Sequence, residues 1–193
     1  MVFFMDEKKV SQKKSTSQAV KKIMIVDDHP LVREGLSFLI ESIPRVKVTA
    51  EVGSVEEARC LLKNRCFDLL LLDLSLPGCS GLQFIKEALE ICPLLRVLVL
   101  SMHEEDLYAE RVLRAGAHGY MMKQSSSVDI MHAIQLVLRG EMYVSAAVAS
   151  SLAKQLVDWN KGKEPCDISQ LSDRELQVYT YLGEGLSSRE ISE

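Results

Sequence analysis

Long apolar runs are missing from this 193-residue sequence, and none approaches the roughly 20 residues needed to cross a bilayer. The apolar residues 2–5 are interrupted at once by Asp6 and Glu7, so they are too short for a signal-peptide core. An excess of one charge is also missing, since the net charge is −4, which argues against a nucleic-acid coat or a membrane-surface protein. These absences predict a cytoplasmic protein that does not associate with membranes.

Paired cysteine motifs are absent as well. The five cysteines are odd in number and form no CxxC pair, so we expect reduced core or surface thiols. The GxxxxGK[ST] loop of nucleotide-binding P-loop proteins does not occur either, which removes one common class of phosphate chemistry.

Residues 22–140 contain five repeats of a short apolar run followed by a helical period. The runs that we assign to strands are residues 23–26, 46–52, 68–72, 97–100 and 119–122. Such runs without polar alternation are typical of strands buried on both faces of a parallel sheet. Capping-box spacing at Ser54 and at Ser80 marks two helix starts, and Gly140 ends the last helical period. The pattern predicts an α/β fold with a five-stranded parallel sheet and helices on both faces.

Three further segments flank this region. Residues 1–21 mix lysines with Ser, Thr and Gln without an apolar period, which indicates a flexible extension. Residues 141–168 are expected to form a linker with one helix, from Tyr143 to Val157, before a stretch that contains Gly and Pro. Residues 169–193 have capping-box spacing at Ser172 and at Ser187, with glycines between, which predicts two short helices of a helix-turn-helix.

Polar residues follow four of the predicted strands. Asp27 and Asp28 follow the first strand, Asp73 the third and Ser101 the fourth, while Lys123 ends the fifth. Ligands of open parallel sheets bind beyond the carboxyl ends of the strands, so we expect these side chains to converge at one edge. Three carboxylates repel one another unless a cation neutralises them, and Mg²⁺ prefers such oxygen ligands. The sequence therefore predicts a Mg²⁺ site at Asp27, Asp28 and Asp73.

The same residues suit phosphoryl transfer. Asp73 can act as a nucleophile and form an acyl phosphate, while Lys123 offsets the charge of the arriving phosphoryl group. Ser101 can then donate a hydrogen bond to the bound phosphate. Each residue alone also fits a turn, a helix cap or a solvated strand end. Their order at successive strand ends favours shared chemistry.

At this point the sequence resembles the receiver domains of bacterial two-component response regulators over residues 22–140. The resemblance rests on four segments: IVDDHPLVREGL from Ile25, FDLLLLDLSLPG from Phe67, VLVLS from Val97 and AGAHGYMMK from Ala115. It implies a flavodoxin-like receiver that a sensor histidine kinase phosphorylates on Asp73. It also implies Mg²⁺ binding by Asp27, Asp28, Asp73 and the backbone carbonyl of Ser75, with phosphate contacts from Ser101 and Lys123. Ser101 and Tyr120 would form the switch, in which the hydroxyl moves to the phosphate and the aromatic ring turns inward.

The tail is similar to the opening of the helix-turn-helix in nitrate-responsive and quorum-sensing regulators. This similarity rests on LSDRELQV from Leu171 and LGEGLSSREI from Leu182. It implies a non-enzymatic transcription regulator whose recognition helix is missing after Glu193, so DNA binding is expected only if a full-length protein restores that helix. Paired half-sites on DNA would favour a homodimer.

Two other functions stay open at this stage. A receiver that acts only through protein–protein contacts would fit if 193 residues were the natural length. A Mg²⁺-dependent phosphatase or phosphotransferase could also use an aspartyl phosphate. Such enzymes commonly carry a second acid two residues after the nucleophile, where this sequence has Ser75.

Overall fold

Strands and helices alternate in the computed structural model, which describes residues 19–77, 80–103, 105–159, 171–183 and 185. The strands are β1 (Lys21–Val26), β2 (Val46–Val52), β3 (Leu69–Leu72), β4 (Arg96–Ser101) and β5 (Gly119–Met122). The helices between and after them are α1 (Pro30–Glu41), α2 (Val55–Asn64), α3 (Gly81–Ile91), α4 (Glu105–Arg114) and α5 (Ser127–Arg139). Two further helices follow, α6 (Ala146–Trp159) and α7 (Asp173–Gly183).

The five strands form one parallel sheet in the order β2-β1-β3-β4-β5. This confirms the predicted fold class, and each strand lies within two residues of its predicted bounds. The strand order reverses between β1 and β3, so a crevice opens beyond the carboxyl ends of these two strands. The acidic residues predicted to bind metal lie at that crevice, directly after β1 and β3.

The core lies in two apolar layers, one on each face of the sheet. Residues of β1 alternate between them: Met24 and Val26 belong to one layer, and Ile23 and Ile25 belong to the other. Helices α1 and α5 cover the layer of Ile23, and helices α2, α3 and α4 cover the layer of Met24. Each fully buried aliphatic side chain contributes about 1.5–3 kcal/mol, so the two layers hold the crevice in a fixed geometry.

Of the two predicted capping boxes in this region, one is confirmed. Ser54 Oγ accepts a hydrogen bond from the Glu57 N–H at 3.3 Å, as an N-cap should. The helix start predicted at Ser80 is correct, since Ser80 is the N-cap of α3, but its side chain makes no capping hydrogen bond, so the box itself does not form. The Ser80 carbonyl accepts from the Phe84 N–H at 3.0 Å, which closes the first turn of α3.

The segment after α5 adds one residue to the edge of the sheet. The Tyr143 N–H donates to the His118 carbonyl at 2.9 Å, and the Tyr120 N–H donates to the Tyr143 carbonyl at 3.1 Å. The predicted helix start at Tyr143 is therefore wrong, because this backbone pairs with β5. Helix α6 begins at Ala146 after Ser145, whose hydroxyl accepts from the Val148 N–H at 3.2 Å.

Helix α7 packs against the receiver part of the chain. Its predicted capping box is confirmed, since Ser172 Oγ accepts from the Glu175 N–H at 3.3 Å and Glu175 Oε2 accepts from the Ser172 N–H at 2.7 Å. Leu176 is fully buried in the apolar layer that also holds Val148 of α6. The predicted helix from Ser187 lies outside the described residues, as does the predicted linker stretch 159–165 apart from Trp159, which ends α6 and is not linker. Within the described ranges, no helix has the length and apolar character required to span a membrane.

Candidate functional site

Backbone pairing fixes the acidic residues at the crevice. The Asp27 N–H donates to the Val52 carbonyl at 3.1 Å, and the Asp73 N–H donates to the Val26 carbonyl at 2.9 Å. These bonds continue the sheet by one residue, so both carboxylates leave the ends of β1 and β3 side by side. Asp27 and Asp73 are each 2% exposed, which places two acids in a nearly water-free position.

The structure brings the predicted acids together and adds His29. Ligand atoms of Asp27, Asp28, Asp73 and His29 all lie within 4.8 Å of one another. The His29 N–H donates to Asp27 Oδ1 at 2.9 Å, while its Nδ1 lies 2.7 Å from Asp28 Oδ1. Sequence reasoning missed this contact, although His29 follows the acidic pair directly and precedes the helix-starting Pro30.

Asp28 provides a test of whether the cluster fits a cation. Its Oδ1 is hidden from solvent and has no well-oriented hydrogen bond, despite the short distance to His29 Nδ1. A buried carboxylate oxygen without a well-oriented hydrogen bond is costly, and a hard cation that takes oxygen ligands reduces that cost. The oxygen-rich donor set of Asp27, Asp28 and Asp73 therefore fits Mg²⁺.

Lys123 neutralises part of the buried charge. Its Nζ lies 2.7 Å from Asp27 Oδ2 and 2.7 Å from Asp73 Oδ2. Burial alone would lower the pKa of Lys123, but the hydrogen bonds and charges of the two carboxylates outweigh it and raise the pKa. The Lys123 N–H donates to the Ser101 carbonyl at 2.8 Å, which fixes the lysine at the end of β5. The ammonium group thus stays protonated between the two acids.

The two predicted switch residues meet at the backbone of His103. Ser101 is fully buried, and its Oγ accepts a hydrogen bond from the His103 N–H at 3.2 Å. The Tyr120 hydroxyl donates to the His103 carbonyl at 2.8 Å. Burial raises the pKa of Tyr120, so the phenol is a neutral donor. The Tyr120 ring is fully buried and already lies inward in this structure.

A second contact of His103, which sequence reasoning missed, joins the loop after β3 to the loop after β4. His103 Nε2 lies 3.1 Å from Ser75 Oγ, and the Ser75 N–H donates to Asp73 Oδ1 at 3.1 Å. The imidazole also stacks on Tyr108 of α4, with the ring centroids 4.7 Å apart. No local periodicity marks such a contact, since the two partners are 28 residues apart in the chain. The structure gives the N–H and hydroxyl contacts of Ser75, and its carbonyl as a metal ligand stays a prediction.

Comparison with known proteins gives one consistent result. Residues 23–135 match the family model of the response regulator receiver domain. The chain is 31% identical over 171 residues to response regulator UvrY of Escherichia coli K12, covering 89% of this chain and 78% of the relative.

The similar solved structures also include response regulators. A LuxR-family two-component response regulator from Aurantimonas sp. SI85-9A1 is 34% identical with a TM-score of 0.66, covering 72% of this chain and 99% of that one. RcsB from Salmonella enterica serovar Typhimurium, bound to promoter rprA in the presence of phosphomimetic BeF3⁻, is 26% identical with a TM-score of 0.66, covering 89% of this chain and 81% of that one.

Proposed function

The chain belongs to the response regulator receiver family, and on that premise we propose that Asp73 is its phosphoacceptor and that a sensor histidine kinase is the donor. UvrY is a response regulator and RcsB binds a promoter, so the function that we assign to this chain is phosphorelay signalling that controls transcription. The observation that supports Asp73 is its position. The carboxylate is 2% exposed, with Lys123 on one oxygen and the Ser75 N–H on the other.

The phosphoryl transfer follows from these contacts. A carboxylate oxygen of Asp73 forms a bond to the phosphorus of a phosphohistidine, and the phosphorus–nitrogen bond of the donor imidazole breaks. Lys123 balances the negative charge that gathers on the phosphoryl oxygens. Ser101 gives up its contact with the His103 N–H and donates a hydrogen bond to the phosphoryl group. The product is an acyl phosphate on Asp73.

Mg²⁺ completes the site that we propose. Asp27, Asp28 and Asp73 and the backbone carbonyl of Ser75 would hold the ion, which supplies positive charge to the carboxylates and to the incoming phosphoryl oxygens. Asp28 Oδ1, which is hidden from solvent and has no well-oriented hydrogen bond, supports this assignment.

The output of the proposed signal is DNA binding. We assign residues 22–140 to the receiver, 1–21 to an N-terminal extension, 141–168 to a linker and 169–193 to the opening of a helix-turn-helix. RcsB, whose structure covers 89% of this chain, binds a promoter, and RcsB dimers bind DNA. By analogy we propose promoter binding as a homodimer when a recognition helix is present. The protein then acts in the cytoplasm as a regulator without an enzymatic activity towards other substrates.

Intact-mass spectrometry tests the proposal. The chain is incubated with Mg²⁺ and acetyl phosphate, beside Asp73→Asn and the matched control Asp129→Asn, which alters an exposed acid of α5. We expect one labile phosphoryl adduct on the wild type and on the control, and none on Asp73→Asn. An adduct that persists in Asp73→Asn, or none on the wild type, contradicts the proposal.

A further inference from the structure

The backbone of a single residue in the loop after β4, His103, contacts both predicted switch side chains. The His103 N–H donates to Ser101 Oγ at 3.2 Å, and the His103 carbonyl accepts from the Tyr120 hydroxyl at 2.8 Å. A movement of the Ser101 hydroxyl therefore removes a hydrogen-bond acceptor from the His103 backbone. The Tyr120 ring is already buried, so an inward turn of that ring is not required from this state.

The side chain of His103 extends the same connection to the loop after β3. His103 Nε2 lies 3.1 Å from Ser75 Oγ, and the Ser75 N–H donates to Asp73 Oδ1 at 3.1 Å. A series of hydrogen bonds thus runs from Asp73 through Ser75 and His103 to Ser101. It joins the two loops beside the carboxylate that is to receive the phosphoryl group.

Helix α7 contributes to a cleft that His103 also lines. Tyr181 of α7 lines this cleft together with His103 and Tyr108, and the other lining residues are Leu74, Ser80, Gly81 and Leu82. Leu176 of α7 is fully buried in the apolar layer that contains Tyr108. His103 stacks on Tyr108. The imidazole therefore contacts the loop after β3 through Ser75 and also lines the cleft that Tyr181 of α7 lines.

We propose that His103 is a positioning residue that couples the phosphorylation state of Asp73 to the docking of α7. This inference rests on the proposed function of Asp73. A phosphoryl group adds about 1.5 to 2 negative charges and three strong acceptors next to Ser75. Recruitment of Ser101 and of the Ser75 N–H to those acceptors opens the hydrogen bond between Ser75 Oγ and His103. The cleft wall then shifts, and α7 loses the surface that holds Tyr181.

Two variants isolate the coupling from simple packing. His103→Phe keeps an aromatic ring to stack on Tyr108 but removes the hydrogen bond to Ser75. Ser75→Ala removes the same bond from the other side and leaves the Ser75 backbone in place. His132→Phe is the matched control, since His132 is exposed and touches Tyr143 by an edge-to-face ring contact.

Hydrogen exchange of the α7 amides in the full chain, with and without Mg²⁺ and acetyl phosphate, measures docking. We expect phosphorylation to speed α7 exchange about tenfold in the wild type and the control, because loss of one hydrogen bond shifts an opening equilibrium by about that factor. In His103→Phe, Ser75→Ala and the double variant, α7 should exchange at the faster rate already without acetyl phosphate. Phosphorylation should then add less than about twofold, since the same bond cannot be lost twice.

The two proposals fail in different ways. If no adduct forms on the wild type, the proposed function of Asp73 is wrong. Independently of that result, slow hydrogen exchange of α7 in unphosphorylated His103→Phe would show that His103 does not hold α7, and the coupling would be wrong. If the adduct forms but α7 exchange stays slow in the variants, or rises on phosphorylation as much as in the wild type, His103 does not couple the two sites and the inference is wrong. An adduct that forms together with fast α7 exchange in all three variants supports it.

Discussion

The hydroxyl of Tyr120 reaches 2.8 Å to the backbone carbonyl of His103, so a fully buried ring at the end of the sheet holds the loop after β4. Tyr120→Phe removes this donor and leaves a carbonyl with one contact fewer. We expect the free energy of unfolding in urea to fall by about 1 kcal/mol. Tyr179→Phe is the control, because Tyr179 is 52% exposed, and it should stay within about 0.5 kcal/mol of the wild type. Equal losses in the two variants would contradict the bond.

Lys123→Met should destabilise the protein in the absence of divalent cations. The substitution leaves Asp27 and Asp73, each 2% exposed, without the ammonium group 2.7 Å away. Breaking a buried ion pair from one side costs about 3 kcal/mol. Urea denaturation in a chelator checks the loss, with Lys154→Met on the exposed face of α6 as the control. A loss no larger than that of the control would mean that water reaches these carboxylates.

Mg²⁺ should raise the melting temperature of the wild type and should act less on Asp28→Asn. A ligand that binds the folded state stabilises it by mass action, and Asp28 offers a hidden oxygen that has no well-oriented hydrogen bond. We expect the apparent dissociation constant for Mg²⁺, from melting temperatures over a titration, to rise about tenfold or more in the variant. Glu90→Gln on the exposed face of α3 should leave it as in the wild type. If both variants bind Mg²⁺ equally, Asp28 is not a ligand.

Two glycine substitutions should change stability in opposite directions. A Cβ at Gly119 would lie 2.6 Å from the Tyr143 carbonyl oxygen and 2.9 Å from Leu98 Cδ1, so Gly119→Ala should cost about 2 kcal/mol by overpacking. A Cβ at Gly35 of α1 has no atom within 4 Å, and Gly35→Ala should stabilise by about 0.5–1 kcal/mol through helix propensity. Urea denaturation of both variants checks the two signs. A neutral Gly119→Ala would show that Tyr143 does not pair with β5.

His118 should make stability depend on pH below neutrality. Burial and the charge of Arg96 lower the pKa of His118, and its Nδ1 lies 3.3 Å from the Val97 N–H as an acceptor. The stability that neutral His118 contributes is present above the ordinary histidine pKa and is lost as the pH falls below it towards the depressed folded-state pKa. His118→Asn keeps an acceptor that does not titrate. Between about pH 7.5 and about pH 5.5, the wild type should lose more unfolding free energy than this variant. Parallel losses would assign the pH dependence to other groups.

The fold could be predicted because its signals are local. Each strand is buried on both faces, so a continuous apolar run such as Leu69–Leu72 reveals it without any knowledge of its neighbours. The capping boxes at Ser54 and Ser172 formed as their spacing indicated. At Ser80 the spacing located the start of α3 correctly, but the side-chain hydrogen bond of the box did not form.

The sequence predicted which residues form the candidate site but not how their side chains contact one another. Strand order brings Asp27, Asp73 and Lys123 together, and in the structure Lys123 Nζ lies 2.7 Å from a carboxylate oxygen of each acid. The contact between Ser75 and His103 and the docking of Leu176 join distant parts of the chain by side-chain direction, which no periodicity encodes. The pairing of Tyr143 with β5 is made by backbone groups and is also not encoded by a local pattern, and it moved a predicted helix start by three residues.

The pairing of Tyr143 with β5 also protects one edge of the sheet from association with other protein molecules. A bare edge strand exposes a row of amide and carbonyl groups, and such a row can template the addition of a strand from another molecule. Along β5 this row is shortened by the Tyr143 backbone, and along β2 the exposed charges of Lys47 and Glu51 disfavour a second chain. The two edges of the sheet are thus protected from strand addition in different ways, β5 by backbone pairing and β2 by charged side chains. Loss of the Tyr143 contact would turn one border of a signalling domain into a nucleus for aggregation.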